Sequence, residues 1–421
     1  MMRSLFAVRS LLLAIFLLMA GSGFLATLMS LRLQEGGTTP VLIGLIGSAY
    51  YMGLTLGSLR AAAIIRRVGH IRAFAAFVSL FSASTLACTI EQNFTFWAVL
   101  RFIEGASLAG VFICLESWLN ERAEPGTRGS VLALYMIALY AGQGVGQFLL
   151  DLGDRAPMLP FIAASILLSL AVLPIVLTRI PGPVVGDVVS LRFRELYVVS
   201  PLGIAGAAMT GGMLGAFYAL GALYVHGLGM DRSQTAVFMS IVILGGVVLQ
   251  IPIGRLSDRF DRRSVIIAIF AGAALISASM GVVVTQGLLL LGLGFLFGGL
   301  VFTLYPLCVA HTNDYLTPEQ RVGASGGMVL VYSIGAAIGP VLAAALISLT
   351  GPGGLFGFIA LCAAAAAGFG LWRRRVRPAL PGDAQQPYQV LPRTTPLAAT
   401  LASPLGEASF QPPQEDVTNH V

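Results

Sequence analysis

The chain has 421 residues, 57% of them hydrophobic and only 10% charged, with a mean hydropathy of +0.86 and a formal net charge of +6. A soluble globular domain carries about 25% charged residues, so this composition excludes a water-soluble protein of this size and fits one whose flanks face lipid. The positive charge is all arginine, since there is no lysine, and it falls in short clusters between apolar runs, the pattern of membrane topology rather than of nucleic-acid binding.

A membrane-spanning helix needs roughly 20 mostly apolar residues. Twelve such runs are predicted: 10–32, 40–61, 71–91, 94–119, 129–151, 157–178, 198–226, 233–257, 264–285, 287–311, 321–349 and 352–372. The first follows Arg3 and Arg9. Its length exceeds the core of a signal peptide, about 7–15 residues, so it is read as a retained span. Turn chemistry separates the runs at Glu35-Gly36-Gly37, Glu124-Pro125-Gly126, Pro181-Gly182-Pro183, Thr317-Pro318 and Gly351-Pro352. The polar segment 179–197, bearing Arg192 and Arg194, divides the chain into six-span units at 1–178 and 198–372. Beyond it, residues 373–421 open with Arg373, Arg374, Arg375 and Arg377 and then turn rich in Pro, Gln, Ala and Thr. Such a composition buries too little apolar surface to offset its ordering entropy, and a disordered tail is expected.

With the N-terminus in the cytoplasm, 21 of the 25 arginines fall on the inner segments, and only Arg32, Arg155 and Arg232 on outer loops. The positive-inside rule therefore puts both termini in the cytoplasm of an inner-membrane protein. Cys88, Cys114, Cys308 and Cys362 lie far apart within apolar runs at no metal-ligand spacing. Neither a disulfide framework, nor a metal site, nor a cofactor is expected.

The two units resemble each other at a shift of 192–193 residues. Asn120-Glu121 followed by Pro125 and Arg128 reappears as Asn313-Asp314 followed by Pro318 and Arg321. Gly142 and Gly146 match Gly335 and Gly339, Gly53 matches Gly245, and Arg67 matches Arg259. Parallel repeats of this kind recur in transporters, with the substrate site between the halves near the bilayer midplane.

The segment Gly254-Arg255-Leu256-Ser257-Asp258-Arg259-Phe260-Asp261-Arg262-Arg263 is similar to the loop motif of the major facilitator superfamily, with Asp261 where that motif has glycine. The first-half copy, Arg66-Arg67-Val68-Gly69-His70, lacks the acid. Arg101-Phe102-Ile103-Glu104-Gly105 in the fourth span is similar to another pattern of the superfamily. The stretches 116–120 and 140–147 resemble its YcaD-like bacterial branch. The resemblance covers about residues 5–375. It implies an all-α membrane fold of two pseudo-symmetric six-helix bundles, transport of a small solute by alternating access, and a monomer without nucleic-acid partners. It further implies that Asp258, Arg259, Arg262 and Arg263 form a cytoplasmic gate bridging helix ends across the halves.

Ionisable groups at membrane depth are costly and usually face a cavity or a partner. Arg101 and Glu104 are three residues apart on one helix face and are candidates for proton coupling; Glu116, nearer the inner end of the same span, is a third. A helix-packing ion pair is the alternative reading of Arg101 and Glu104. Aromatic and amide residues on the spans that line the superfamily's cavity give the substrate candidates Phe24, Tyr51, Tyr140, Gln143, Gln147, Tyr218 and Tyr332. No nucleotide-binding loop of the G-x4-G-K-[ST] type is present, so ATP drive within this chain is not expected, nor is catalysis. Proton-antiport efflux, symport uptake of a sugar or organic acid, and a non-transporting sensor with the tail as output remain open.

Overall fold

The structure, a computed structural model, describes residues 2–123, 127–178, 193–282, 286–376 and 385–395. Among them are twelve helices long and apolar enough to cross a membrane. In the first half these are α1 (Val8–Glu35), α2 (Pro40–Val68), α3 (His70–Ala87), α4 (Phe94–Arg122), α5 (Arg128–Asp154) and α6 (Leu159–Val176). In the second half they are α7 (Pro201–Gly227), α8 (Arg232–Arg259), α9 (Arg262–Val282), α10 (Leu288–Asn313), α11 (Gly323–Thr350) and α12 (Gly354–Val376). Every predicted span is present, with ends displaced by a few residues.

Helix starts follow local capping chemistry. Asn93 accepts from the backbone N–H groups of Thr95 and Phe96 to open α4. Asp231 and Gln234 form a reciprocal capping box on α8, and Thr317 and Gln320 do the same where Pro318 begins the helix that continues as α11. Gly351 ends that helix at φ +81°, a conformation glycine adopts without strain. Three helices are interrupted. α1 breaks between Ser22 and Leu25. α5 tightens into a 3-10 turn over Gln147–Asp154. α8 has a break at Leu249, three residues before Pro252, which cannot donate to the helix ladder.

The sequence repeat has a physical counterpart. A Cβ on Gly53 of α2 would lie 2.0 Å from the Phe102 carbonyl oxygen of α4; on Gly245 of α8 it would lie 2.0 Å from the Phe295 carbonyl of α10. Gly142 and Gly146 of α5 meet the Phe16 and Ala20 carbonyls of α1 at 2.5 and 2.4 Å, while Gly335 and Gly339 of α11 meet those of Ala208 and Gly212 of α7 at 2.1 and 2.2 Å. Each half is thus pinned at matching helix crossings where backbones touch and only glycine fits, the close packing favoured in membranes.

Across the halves, contact concentrates toward the face opposite the arginine-rich one. Gly44 of α2 abuts Pro340 of α11, and Gly47 abuts Ala219 of α7. The Ser30 hydroxyl of α1 donates to the Ala219 carbonyl, and the Ser240 hydroxyl of α8 donates to the Gly144 carbonyl of α5 at 2.9 Å.

Two features depart from the expectations above. The predicted linker ends in a short helix, Phe193–Val199; residues 179–192 lie outside the described ones. The tail is not disordered throughout: α12 carries Arg373–Arg375 to Val376, and residues 385–395 are seated between the two halves on the arginine-rich side. Composition indicates how much apolar surface a segment brings, but not which acceptors await it. Here Asp258, Asp314 and Glu116 accept from backbone N–H groups and hydroxyls of the tail. Residues 377–384 and 396–421 lie outside the described ones.

Candidate functional site

A cavity lies at the centre of the interface between the halves. Its walls come from α1, α2, α4, α5, α7 and α11, with Tyr50, Tyr51, Arg101, Tyr140, Gln143 and Tyr332 among the lining side chains. The tail residues Pro392, Arg393 and Thr394 close it from the arginine-rich side and leave about 160 Å³ beside them.

Arg101 is 4% exposed and Glu104 fully buried. Arg101 Nη1 donates to Glu104 Oε2 at 2.7 Å, and its guanidinium lies 4.3 Å from the centroid of the Tyr50 ring. The other carboxylate oxygen, Oε1, accepts from the Thr85 hydroxyl of α3 at 3.0 Å. Arg101 thus faces the cavity while Glu104 lies behind it, between α4 and α3. Both charges are desolvated together, which is less costly than burying either alone.

Glu116 sits 12 residues further along α4, about 18 Å down the helix axis. It is fully buried, accepts from the Tyr135 hydroxyl of α5 at 2.7 Å, and also accepts from the hydroxyls of Thr394 and Thr395.

On the arginine-rich face, Arg262 forks between two acids. Its Nη1 lies 2.6 and 2.8 Å from the Asp314 carboxylate oxygens, and its Nη2 lies 3.0 Å from Asp258 Oδ1. Burial pushes the Asp314 carboxyl above the usual carboxylate range, while Arg262 and the Gln386 amide draw it back. At the opposite face, Arg232 at the start of α8 reaches Glu35 of α1 at 2.5 Å and Asp154 of α5 at 2.7 Å, tying the second half to the first.

Two segments of the chain, 11–224 and 202–412, match the family model of the Major Facilitator Superfamily. The chain belongs to that superfamily. It resembles in particular transporters called YcaD and described as uncharacterized. That of Salmonella arizonae is 29% identical over 344 residues, covering 80% of this chain and 88% of the relative. That of Salmonella enteritidis is 30% identical over 340 residues, covering 80% and 87%. Among solved structures, the nucleoside transporter NupG superposes with a TM-score of 0.74 at 13% identity, covering 88% of this chain and 99% of NupG. A bacterial homologue of the human lysosomal transporter Spinster, in an inward-facing, unoccupied conformation, gives 0.72 at 15%, covering 89% and 97%. The chain is therefore a major facilitator superfamily transporter of the YcaD-like branch.

Within this transporter, Tyr51, Tyr140, Gln143, Tyr218 and Tyr332 line the cavity as the sequence suggested, and Phe24 and Gln147 do not. Phe24 is fully buried in the core at the break in α1. Gln147, one turn beyond Gln143, turns toward α1, where its amide donates to the Gly23 carbonyl at 3.1 Å. That bond satisfies a polar backbone group at the α1 break; Gln143, one turn earlier, packs on the same Gly23 and reaches the cavity, while Gln147 is fully buried above it.

Of the gate residues, Asp258 and Arg262 pair within the second half, with Asp314 as the second acid, and both bond the tail. Arg259 is exposed, and Arg263 is buried beside His311, Tyr315 and Arg373. Sequence reasoning missed Tyr50, whose neighbour Tyr51 was singled out. It missed Arg393, whose segment is polar, and Arg232, which had been assigned to an outer loop. It also missed Phe302 of α10, which packs against Tyr140 and Tyr218.

Proposed function

We propose that this chain is a monomeric, proton-coupled carrier that moves a small organic solute across the bacterial inner membrane by alternating access, with both termini in the cytoplasm. The observation that carries the reading is the buried Arg101–Glu104 pair on the wall of the interhalf cavity. A carboxylate at that depth is tolerated when paired or neutralised. Protonating Glu104 leaves Arg101, still stacked on Tyr50, as an uncompensated charge on the cavity wall; deprotonating it restores the neutral pair. The charge of the cavity wall then changes with the proton, which is the minimum a coupled carrier needs. Glu116 is the second candidate for the proton. The arginine asymmetry supports the orientation. On that orientation the packed seam and the Arg232 clamp face outward and the cavity faces the cytoplasm.

Proton movement in acid-loaded inside-out vesicles, challenged with panels of drugs, sugars and organic acids, tests the reading. Wild type is expected to move protons with at least one class, and Glu104→Gln is expected not to. The sign of the proton movement separates antiport from symport. A response that survives Glu104→Gln transfers coupling to Glu116. A solute flux that persists unchanged with the proton gradient collapsed refutes proton coupling.

A further inference from the structure

We infer that the central cavity is a binding site for an organic monocation of the guanidinium or alkylammonium class, and that Arg393 of the chain's own tail occupies it as a tethered competitor. The inference deepens the transport reading and rests on the cavity being the solute site.

The tail is anchored before it enters. The Gln386 N–H donates to Asp314 Oδ1 at 2.9 Å, and its carbonyl accepts from Arg262 at 2.5 Å. The Tyr388 N–H donates to Asp258 at 2.7 Å, while its ring fills the space that a Cβ on Gly254 would need. Leu391 is buried, and Arg393 then projects into the cavity. Thr394 and Thr395 turn back to Glu116.

Aromatic rings meet the Arg393 side chain. Its guanidinium carbon lies 4.7 Å from the centroid of Phe302 and 5.8 Å from that of Tyr332, and Nη2 donates to the Tyr140 hydroxyl at 3.2 Å. Tyr140 and Tyr218 pack against Phe302 at centroid separations of 5.7 and 6.1 Å, completing the box. Tyr140 is 12 residues into α5, and Phe302 is 11 from the end of α10, which puts the cation about 16–18 Å from those helix ends, near mid-membrane. Ring faces attract cations through their quadrupoles, most strongly away from water. Among the described residues Arg393 Nη1 has no hydrogen-bond partner, and the rings around the guanidinium carry the larger share of its contacts. Recognition of that kind accepts ammonium and guanidinium alike and rejects carboxylates. The other cation in the wall, Arg101, is already balanced by Glu104. A solute cation can therefore take the place of Arg393 without a new countercharge.

The test is calorimetric binding of N-benzylguanidinium and N-benzylammonium to the full-length protein in lipid nanodiscs, with benzyl alcohol and benzoate as neutral and anionic probes. A tethered group acts at an effective concentration on the order of millimolar. Arg393→Gln is therefore expected to tighten binding of both cations about tenfold or more, and adding Phe302→Leu is expected to undo that gain. Benzyl alcohol and benzoate are expected not to bind. Cation affinity unchanged by Arg393→Gln, or benzoate or benzyl alcohol binding as well as the cations, overturns the inference. The readout needs no flux. Arg393-sensitive cation binding without vesicle transport leaves the site standing and sinks the transport reading. Transport of another solute class without cation binding does the reverse.

Discussion

Replacing Arg232 with methionine removes both ion pairs that clamp the outer seam while keeping most of the side chain's apolar volume. The side-chain exposures are 21% for Arg232, 33% for Glu35 and 65% for Asp154, so none of the pairs is deeply buried. Exposed pairs contribute about 0.2–1 kcal/mol each. The Asp154 pair belongs at the low end because its carboxylate is mostly solvated, which gives a total of about 1 kcal/mol for the clamp. With about 1.4 kcal/mol corresponding to tenfold, that shifts the balance toward the outward-open state by roughly fivefold. Ala26 lines the cavity. A cysteine placed there in right-side-out vesicles is reached by a membrane-impermeant maleimide only when the seam opens. Arg232→Met is expected to label about fivefold faster than its parent. Raising salt to 1 M, where the Debye length is about 3 Å, should speed the parent but not the variant. Equal labelling rates in both proteins, insensitive to salt, would refute the reasoning and assign closure to the packing of Gly44 on Pro340 and Gly47 on Ala219 alone.

Gly245→Ala forces a Cβ to within 2.0 Å of the Phe295 carbonyl; overpacking of this kind costs about 1–3 kcal/mol, and the thermal unfolding temperature in detergent should fall. Gly144→Ala, whose Cβ would meet nothing within 4 Å, should leave it unchanged or raise it. Glu104→Ala strands a buried Arg101 and should destabilise the protein by roughly 3–5 kcal/mol, whereas the Arg101→Leu, Glu104→Leu double variant should lose much less; equal losses in the unfolding scans would contradict the pairing. Tyr388→Ala removes the ring packed on Gly254 and should make tryptic cleavage after Arg393 several-fold faster; an unchanged rate would place tail docking on the backbone bonds to Asp258 and Asp314 instead.

Much of the fold was legible because its causes are one-dimensional. Apolar length sets a span, arginine marks one side, and Gly53, Gly142 and their counterparts recur because backbone contact at those crossings tolerates no side chain. The Arg101–Glu104 pair was legible because i,i+3 spacing places both on one helix face. What escaped depends on partners distant in sequence. Gln143 and Gln147 do share a face, but what that face meets was not legible: both reach Gly23, whose carbonyl Gln147 caps at the break in α1, and only Gln143 extends to the cavity. Asp258 and Arg262 were recognised as a motif, yet the acid that takes most of Arg262 is Asp314, 52 residues away. The tail misled for the same reason. Its docking surface is assembled from α4, α5, α8, α9, α10 and α11, and no property of residues 385–395 alone encodes it.

The seated tail also acts as a doorstop. While Pro392, Arg393 and Thr394 fill the cavity mouth, the walls on that side cannot meet. On the alternating-access reading proposed above, closing that side requires the tail to leave first, so a solute that displaces Arg393 would also clear the way for the halves to rock.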